Sequence, residues 1–207
     1  MLVNGARNHR HHPGIRCSNN LKQVGLAFRS WAIDNNDKMP MSISVTNGGA
    51  MEAVIDGNVA AAFQVMSNEL NTPKILFCPT DKQRIQAVTF DQISSSKGWR
   101  DSISFLGNTN LSYFVGLDAK DTSPDMFLSG DDNFLLGGNY KGDVGGAPVP
   151  PGVLILTTNS PVTWSQARHE KQGNIGLADG SVQGFSSHSL RTALKEKGTE
   201  PNRLAMP

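Results

Sequence analysis

The chain has 207 residues and a formal net charge of +1, with acids and bases interleaved along its whole length. No basic stripe with aromatics between its charges is present, so the sequence offers no electrostatic footprint for a nucleic-acid partner. A hydrophobic fraction of 38% with 21 glycines argues against a helical bundle and for one loop-rich α+β domain with a modest core.

Residues 1–15 carry no periodicity and no apolar core of the kind a secretory signal needs. They are expected to be a disordered leader, or an added or mis-assigned start, with residues 16–207 forming the globular domain. His9, His11 and His12 sit in that segment; a metal cluster there is the weaker reading. From Cys17 a helix is predicted. Ser18, Asn19 and Asn20 are capping candidates, and Leu21, Val24, Phe28, Trp31 and Ala32 recur at three- and four-residue steps to make one apolar stripe. Asp34-Asn35-Asn36-Asp37 and Pro40 end it.

A second helix is predicted from Asn58 to Leu70, with Ala61, Val65, Met66 and Leu70 inward. Ile75-Leu76-Phe77 then leads into a turn at Cys78-Pro79-Thr80-Asp81, and the segment to Ile93 is expected to be partly helical. The second half reads as strands: Leu111–Leu117, Met126–Leu128, Phe134–Leu136 and Val153–Leu156. Residues 137–152 look like an exposed loop. Asn174–Ala178 and Ser181–Phe185 flank Asp179-Gly180, which predicts a hairpin with a two-residue type I′ turn. A short helix from Ser189 to Lys197, stopped by Gly198, closes the domain.

The chemistry-bearing residues are few. Cys17 and Cys78 match neither a zinc ribbon nor a Cys-x-x-Cys pair. They are either two buried thiols or one disulfide closing a loop of about 60 residues, worth roughly 3–4 kcal/mol if unstrained. Asp131, Asp132 and Asn133, with Asp125 and Asp143 nearby, are candidate calcium ligands, set against the plainer reading of a solvated acidic turn. His169 and Asp179 could make a base and its orienting carboxylate. No nucleophile sits in a recognisable elbow, however, and the turn already accounts for Asp179. Structural roles are therefore expected for His169, Asp179 and Gly180. Trp99, Trp164, Tyr113 and Tyr140 could line a carbohydrate or peptide groove, but such residues more often serve in packing, and no spacing favours the groove.

Arg16-Cys17-Ser18-Asn19-Asn20-Leu21-Lys22-Gln23-Val24-Gly25-Leu26-Ala27 is similar to the segment that follows the membrane helix in bacterial type IV pilin-like proteins. His169, nine residues, then Asp179-Gly180 resembles the H-x9-DG signature of the prepilin-processing-associated group. Cys78-Pro79, Ser112–Asp118, Gly130-Asp131 and Asn202–Pro207 follow the same pattern. The resemblance implies a pilin-like fold, with an amphipathic N-terminal helix packed on an antiparallel sheet. It implies a filament subunit of a type II secretion or type IV pilus-like system, located outside the cytoplasmic membrane and anchored in it before assembly. Partners would be other pilin-like subunits and assembly proteins. Family members carry a basic leader, a cleavage site and about twenty apolar residues that this chain lacks. The expectation is thus a pseudopilin-like structural protein with no catalytic residues and no required cofactor, calcium being the candidate ion. The alternative is a binding module on the same fold that recognises a secreted substrate or glycan.

Overall fold

Helix α1 (Pro13–Asp34) carries the predicted stripe. Cys17, Leu21, Val24, Phe28, Trp31 and Ala32 are all buried along one side, because steps of three and four residues stack side chains on one helical face. A computed structural model describes residues 13–91, 103–137, 145–196 and 201–207. His9, His11, His12, Trp99, Tyr140, Asp143, Gly198 and residues 138–144 of the predicted 137–152 loop lie outside the described residues. No described helix is long and apolar enough to cross a membrane.

After α1 the chain makes short helical pieces: α2 (Met51–Ile55), α3 (Ala60–Val65) and α4 (Ser67–Leu70), with 3₁₀ turns at Pro40–Ser42, Val45–Asn47 and Pro73–Leu76. The single helix expected from Asn58 to Leu70 is therefore two. It breaks at Met66, whose φ of −99° and ψ of 23° leave the helical region. Its inward side is Ala60, Ala62, Phe63, Met66 and Leu70, with Phe63 edge-on to Phe28 of α1. The stretch after Cys78 is not helical. There Val88 N–H donates to Ile103 O and Phe105 N–H to Thr89 O, so the two segments lie extended side by side.

The strands are β1 (Tyr113–Gly116), β2 (Phe127–Asp131), β3 (Phe134–Leu136), β4 (Ala147–Pro148), β5 (Gly152–Leu156), β6 (Val162–Trp164), β7 (Gln172–Leu177), β8 (Val182–Ser186) and β9 (Asn202–Met206), with α5 (Ser187–Glu196) between the last two. Six of them form one sheet in the order β5-β9-β1-β2-β7-β8, and β4-β3-β6 form a smaller one. Every pairing within the six-stranded sheet is antiparallel.

The large sheet divides the core. Helix α1 lies over β2, β7 and β8 and shares one cluster with Tyr113, Val115 and Leu128. The opposite face, with Phe114, Phe127 and Ile175, packs on Phe134 and Trp164 of the small sheet and on Leu190 and Leu194 of α5. Alternate residues of β1 thus serve two cores, as strand pleating requires. An N-terminal helix packed on a multi-stranded antiparallel sheet is an α+β architecture.

The β7–β8 hairpin turns differently from the two-residue form expected. Gly180 is the loop's one left-handed residue, at φ 86°. Leu177 N–H donates to Ser181 O, and Gly180 N–H donates back to Leu177 O. This is a three-residue connection, in which a type I turn is followed by a left-handed glycine. Asp179 accepts from Ser181 N–H at 2.8 Å, and its carbonyl accepts from Arg29 of α1 at 2.7 Å.

Candidate metal and thiol centre

Four segments distant in sequence bring their side chains to one point beneath the N-terminal part of α1. Cys17 lies on the buried stripe of α1, so its sulfur faces the sheet. Asp131 ends β2 directly opposite Tyr113 of β1; paired residues share a face of the sheet, and Tyr113 faces α1. Cys78 follows the 3₁₀ turn Pro73–Leu76 and is held in a tight turn by Asp81 N–H donating to its carbonyl at 2.8 Å. His169 comes from the β6–β7 loop. One ligand atom from each of Cys17, Cys78, Asp131 and His169 lies within 4.8 Å of all the others.

The two sulfurs are 2.7 Å apart and unbonded. His169 Nε2 is 3.3 Å from Cys78 Sγ and 3.4 Å from Asp131 Oδ2. Thr80 Oγ1 is 3.1 Å from Cys78 Sγ. Asp131 Oδ2 accepts from Asn174 N–H at 2.7 Å and from its side-chain amide at 3.0 Å. Asp131 Oδ1 and His169 Nδ1 are buried without a hydrogen-bond partner. An orphaned carboxylate oxygen in a fully buried residue calls for an ion or an ordered water.

The thiols are not equivalent. The hydrogen bond that Cys17 donates to Cys78, together with burial and the Asp131 charge, pushes the Cys17 thiol well above its ordinary value. The same hydrogen bond lowers Cys78 to about 5 against the opposing effect of burial, and His169 helps. Burial pulls His169 down, but the Asp131 carboxylate and the Cys78 sulfur outweigh it and raise the imidazole to about 10. Near neutrality, then, the ion-free cluster is a Cys78 thiolate between a thiol donor and an imidazolium. Tyr113, beside this charge and fully buried, is raised first of all by desolvation.

The backbone at His169 is unusual. His169, Glu170 and Lys171 have φ values of 50°, 53° and 66°, three successive non-glycine residues in the left-handed region. Gln172 N–H closes this left-handed turn on His169 O at 3.1 Å. Each such residue costs about 1–2 kcal/mol. Compensation comes from both sides of the turn, where His169 meets the cluster and Arg168 is locked into a buried ionic network. Arg168 donates to Ser112 O at 3.0 Å, pairs with Asp81 at 3.3 Å and contacts Asp132. Arg84 reaches Asp132 at 3.2 Å and the Pro207 carbonyl at 2.9 Å. The neighbours in sequence of His169, Asp131 and Tyr113, and the turn after Cys78, are thus tied together beside the site. A cavity of about 530 Å³, lined by Gly14, Pro79, Thr80, Lys82, Gln166, Ala167, His169, Glu170 and Gln172, opens on this side.

The calcium reading does not survive. Asp131, Asp132 and Asn133 do not form an exposed acidic turn. Asp131 is buried on the α1 face, Asp132 pairs with Arg84 and Arg168, and Asn133 donates to Ser165 O at 3.4 Å. The donors that converge are thiolate and imidazole with one carboxylate, the preference of zinc or iron rather than calcium. The expectation of a purely structural pseudopilin-like subunit, without catalytic activity and with no cofactor, is overturned by the same cluster, as is the plain binding module. His169, expected to have a structural role, turns its Nε2 into the centre, whereas Asp179 stays at the hairpin turn. Trp164 stacks on Phe134 at 4.4 Å and Tyr113 lies in the core, so neither lines a groove.

All four of these side chains could be singled out in the sequence, but their meeting could not. Cys17 and Cys78 are 61 positions apart and Cys78 and His169 are 91 apart, spacings that match no ligand motif. No protein-family model, curated protein or solved structure matches the chain, so the site's geometry is the ground for a functional reading.

Proposed function

We propose that the chain binds a single transition-metal ion of the zinc or ferrous type through Cys17 Sγ, Cys78 Sγ, His169 Nε2 and an oxygen of Asp131. The observation that carries this reading is the convergence of four such donor atoms within 4.8 Å of one another. A tetrahedral zinc site with ordinary bond lengths has edges of ~3.8 Å between sulfurs, ~3.6 Å from sulfur to nitrogen and ~3.4 Å from nitrogen to oxygen. The Cys78–His169 and His169–Asp131 separations of 3.3 and 3.4 Å already fall near the second and third. The sulfurs need to part by about 1 Å to reach the first. Asn174, by holding Asp131 Oδ2, acts as the outer partner that orients a ligating carboxylate.

The reduced chain, freed of metal and dialysed against equimolar cobalt(II), is expected to develop thiolate-to-cobalt charge-transfer absorption and a tetrahedral visible spectrum. Zinc should bleach both, with one ion bound per chain by elemental analysis. Absence of the charge-transfer band, together with no zinc retained by reduced protein, refutes the reading.

Two wider readings belong to the same proposal. The fold is taken as the pilin-like form of this α+β arrangement, supported by the helix-over-sheet layout and by the ordered motifs from Cys17 to Pro207. The chain is taken to work outside the cytoplasmic membrane, which the same motif order supports. Tethering to a membrane by chain preceding Met1 is the form this takes, and the reading frame upstream of the gene's Met1 codon tests it.

A further inference from the structure

We propose that the same two cysteines carry out thiol–disulfide exchange, with Cys78 as the attacking and Cys17 as the resolving thiol, and with a small-molecule disulfide reaching them through the cavity beside His169. The inference deepens the metal-site reading and rests on it in one respect, that oxidation of the pair discharges the ion.

The sulfurs stand 2.7 Å apart, which is shorter than the metal site wants and only about 0.7 Å longer than a disulfide bond. The two end states of the pair, parted around an ion or joined to each other, thus lie on opposite sides of the observed arrangement. Both require sulfur movements of 1 Å or so, within reach of side-chain torsions. The fixed environment gives the two sulfurs different access. Cys17 is covered by its own helix and by Tyr113. Cys78 is covered on the cavity side by Thr80 and His169, each within 3.3 Å of its sulfur, and both line the 530 Å³ cavity with Pro79, Gln166 and Glu170. Thr80 is half-buried and Pro79 exposed. Turning the Thr80 hydroxyl away from Cys78 therefore opens the sulfur to a molecule in the cavity, whose lining includes two side chains that touch Cys78 and does not include Cys17. This is the arrangement of an attacking thiol backed by a resolving one.

The step balances with an external disulfide as oxidant. Cys78, as the thiolate, attacks one sulfur of the disulfide, a mixed disulfide forms and the other half leaves as a thiolate that takes a proton from solvent. Cys17 sulfur then attacks Cys78 Sγ, the protein disulfide forms and the second half leaves with the Cys17 proton. Two electrons pass from the cysteine pair to the external disulfide. Two of the four metal donors are consumed, so the ion cannot stay.

The test uses glutathione disulfide on the full chain, reduced and metal-free or zinc-loaded, followed by intact mass and by release of glutathione thiol. Metal-free protein is expected to lose two hydrogens and to release two glutathiones per chain. The zinc-loaded form should react more than about tenfold more slowly, since its thiolates are held by the ion. The oxidised chain should retain no zinc, and dithiothreitol should restore binding. Cys17→Ser should stop at one glutathione attached to Cys78. Should that variant not fold, acid-quenched wild type digested early in the reaction should show the adduct on the Cys78 peptide. Metal-free protein that stays reduced, or adducts found on Cys17, overturn the exchange while leaving zinc binding intact. Clean oxidation in a reduced chain that never bound zinc overturns the metal reading and the discharge of the ion, but leaves the exchange standing.

Discussion

The protons carried by the four donors before an ion binds fix how the zinc affinity must vary with pH. Three donors titrate with resolved shifts. Cys17 is held above its ordinary value and keeps its proton. Cys78 is lowered from 9.0 to about 5 and is a thiolate above that pH. His169 is raised from 6.5 to about 10 and is protonated below it. Zinc requires two thiolates and a neutral imidazole, so between about 5 and about 10 binding must expel two protons, one from Cys17 and one from His169. Each pH unit in that window then tightens binding about 100-fold. Cysteines and a histidine at their ordinary values behave otherwise: three protons are expelled below 6.5 and none above 9.0, where both thiols have already ionised. The two cases agree near neutrality and separate at the flanks. Competition with a chromophoric chelator, at constant ionic strength from about pH 5.5 to about 9.5, is expected to give a slope of two in log affinity throughout. A slope that climbs to three on the acid side, or vanishes on the alkaline side, refutes the thiolate–imidazolium description of the site.

Two further substitutions probe what holds the site together. Arg168→Met removes the buried cation that faces Asp81 and Asp132; leaving the buried Asp81 with no ion pair and Asp132 with Arg84 alone should cost about 3–5 kcal/mol in urea unfolding, and a loss under 1 kcal/mol would mean that the pairs are solvated. Gly130→Ala places a Cβ 2.8 Å from Asn174 O and from the Phe114 ring, next to Asp131 and its orienting partner. Overpacking there should cost about 1–3 kcal/mol and weaken cobalt binding with it; an unchanged denaturation midpoint would contradict the close approach of β2 and β7.

Periodicity made the local elements legible. The α1 stripe, the β1 and β5 runs and the β7–β8 hairpin are each written in side-chain spacing. What eluded it has physical causes. Strand β9 shows no alternation because Leu204, Ala205 and Met206 are all buried: the strand lies between β5 and β1 with a core on either side, and a strand covered on both faces loses its polar phase. The break at Met66 is marked by no glycine or proline in the predicted span Asn58–Leu70. The I′ expectation failed because Asp-Gly was given two positive-φ places when the loop uses one, with Ala178 and Asp179 forming the preceding turn.

The site was invisible for a different reason, and the backbone of the β6–β7 loop explains it. Asp131 read as a calcium candidate because it stands beside Asp132 and Asn133, but successive strand residues point to opposite faces. One residue of the trio therefore enters the α1 core, while Asp132 turns to the arginines. His169 is aimed at it by a left-handed turn that no glycine marks. Residues are held in such conformations only where their surroundings over-determine them. At this turn the anchors on either side are Arg168 in its ionic network and His169 on Asp131 and Cys78. A fold that needed only a connection between β6 and β7 would gain from relaxing Glu170 and Lys171 to negative φ, with a saving of about 1–2 kcal/mol each. Keeping three successive residues there makes sense if the direction of the imidazole is what the loop exists to set, and that direction is toward the two sulfurs and the carboxylate.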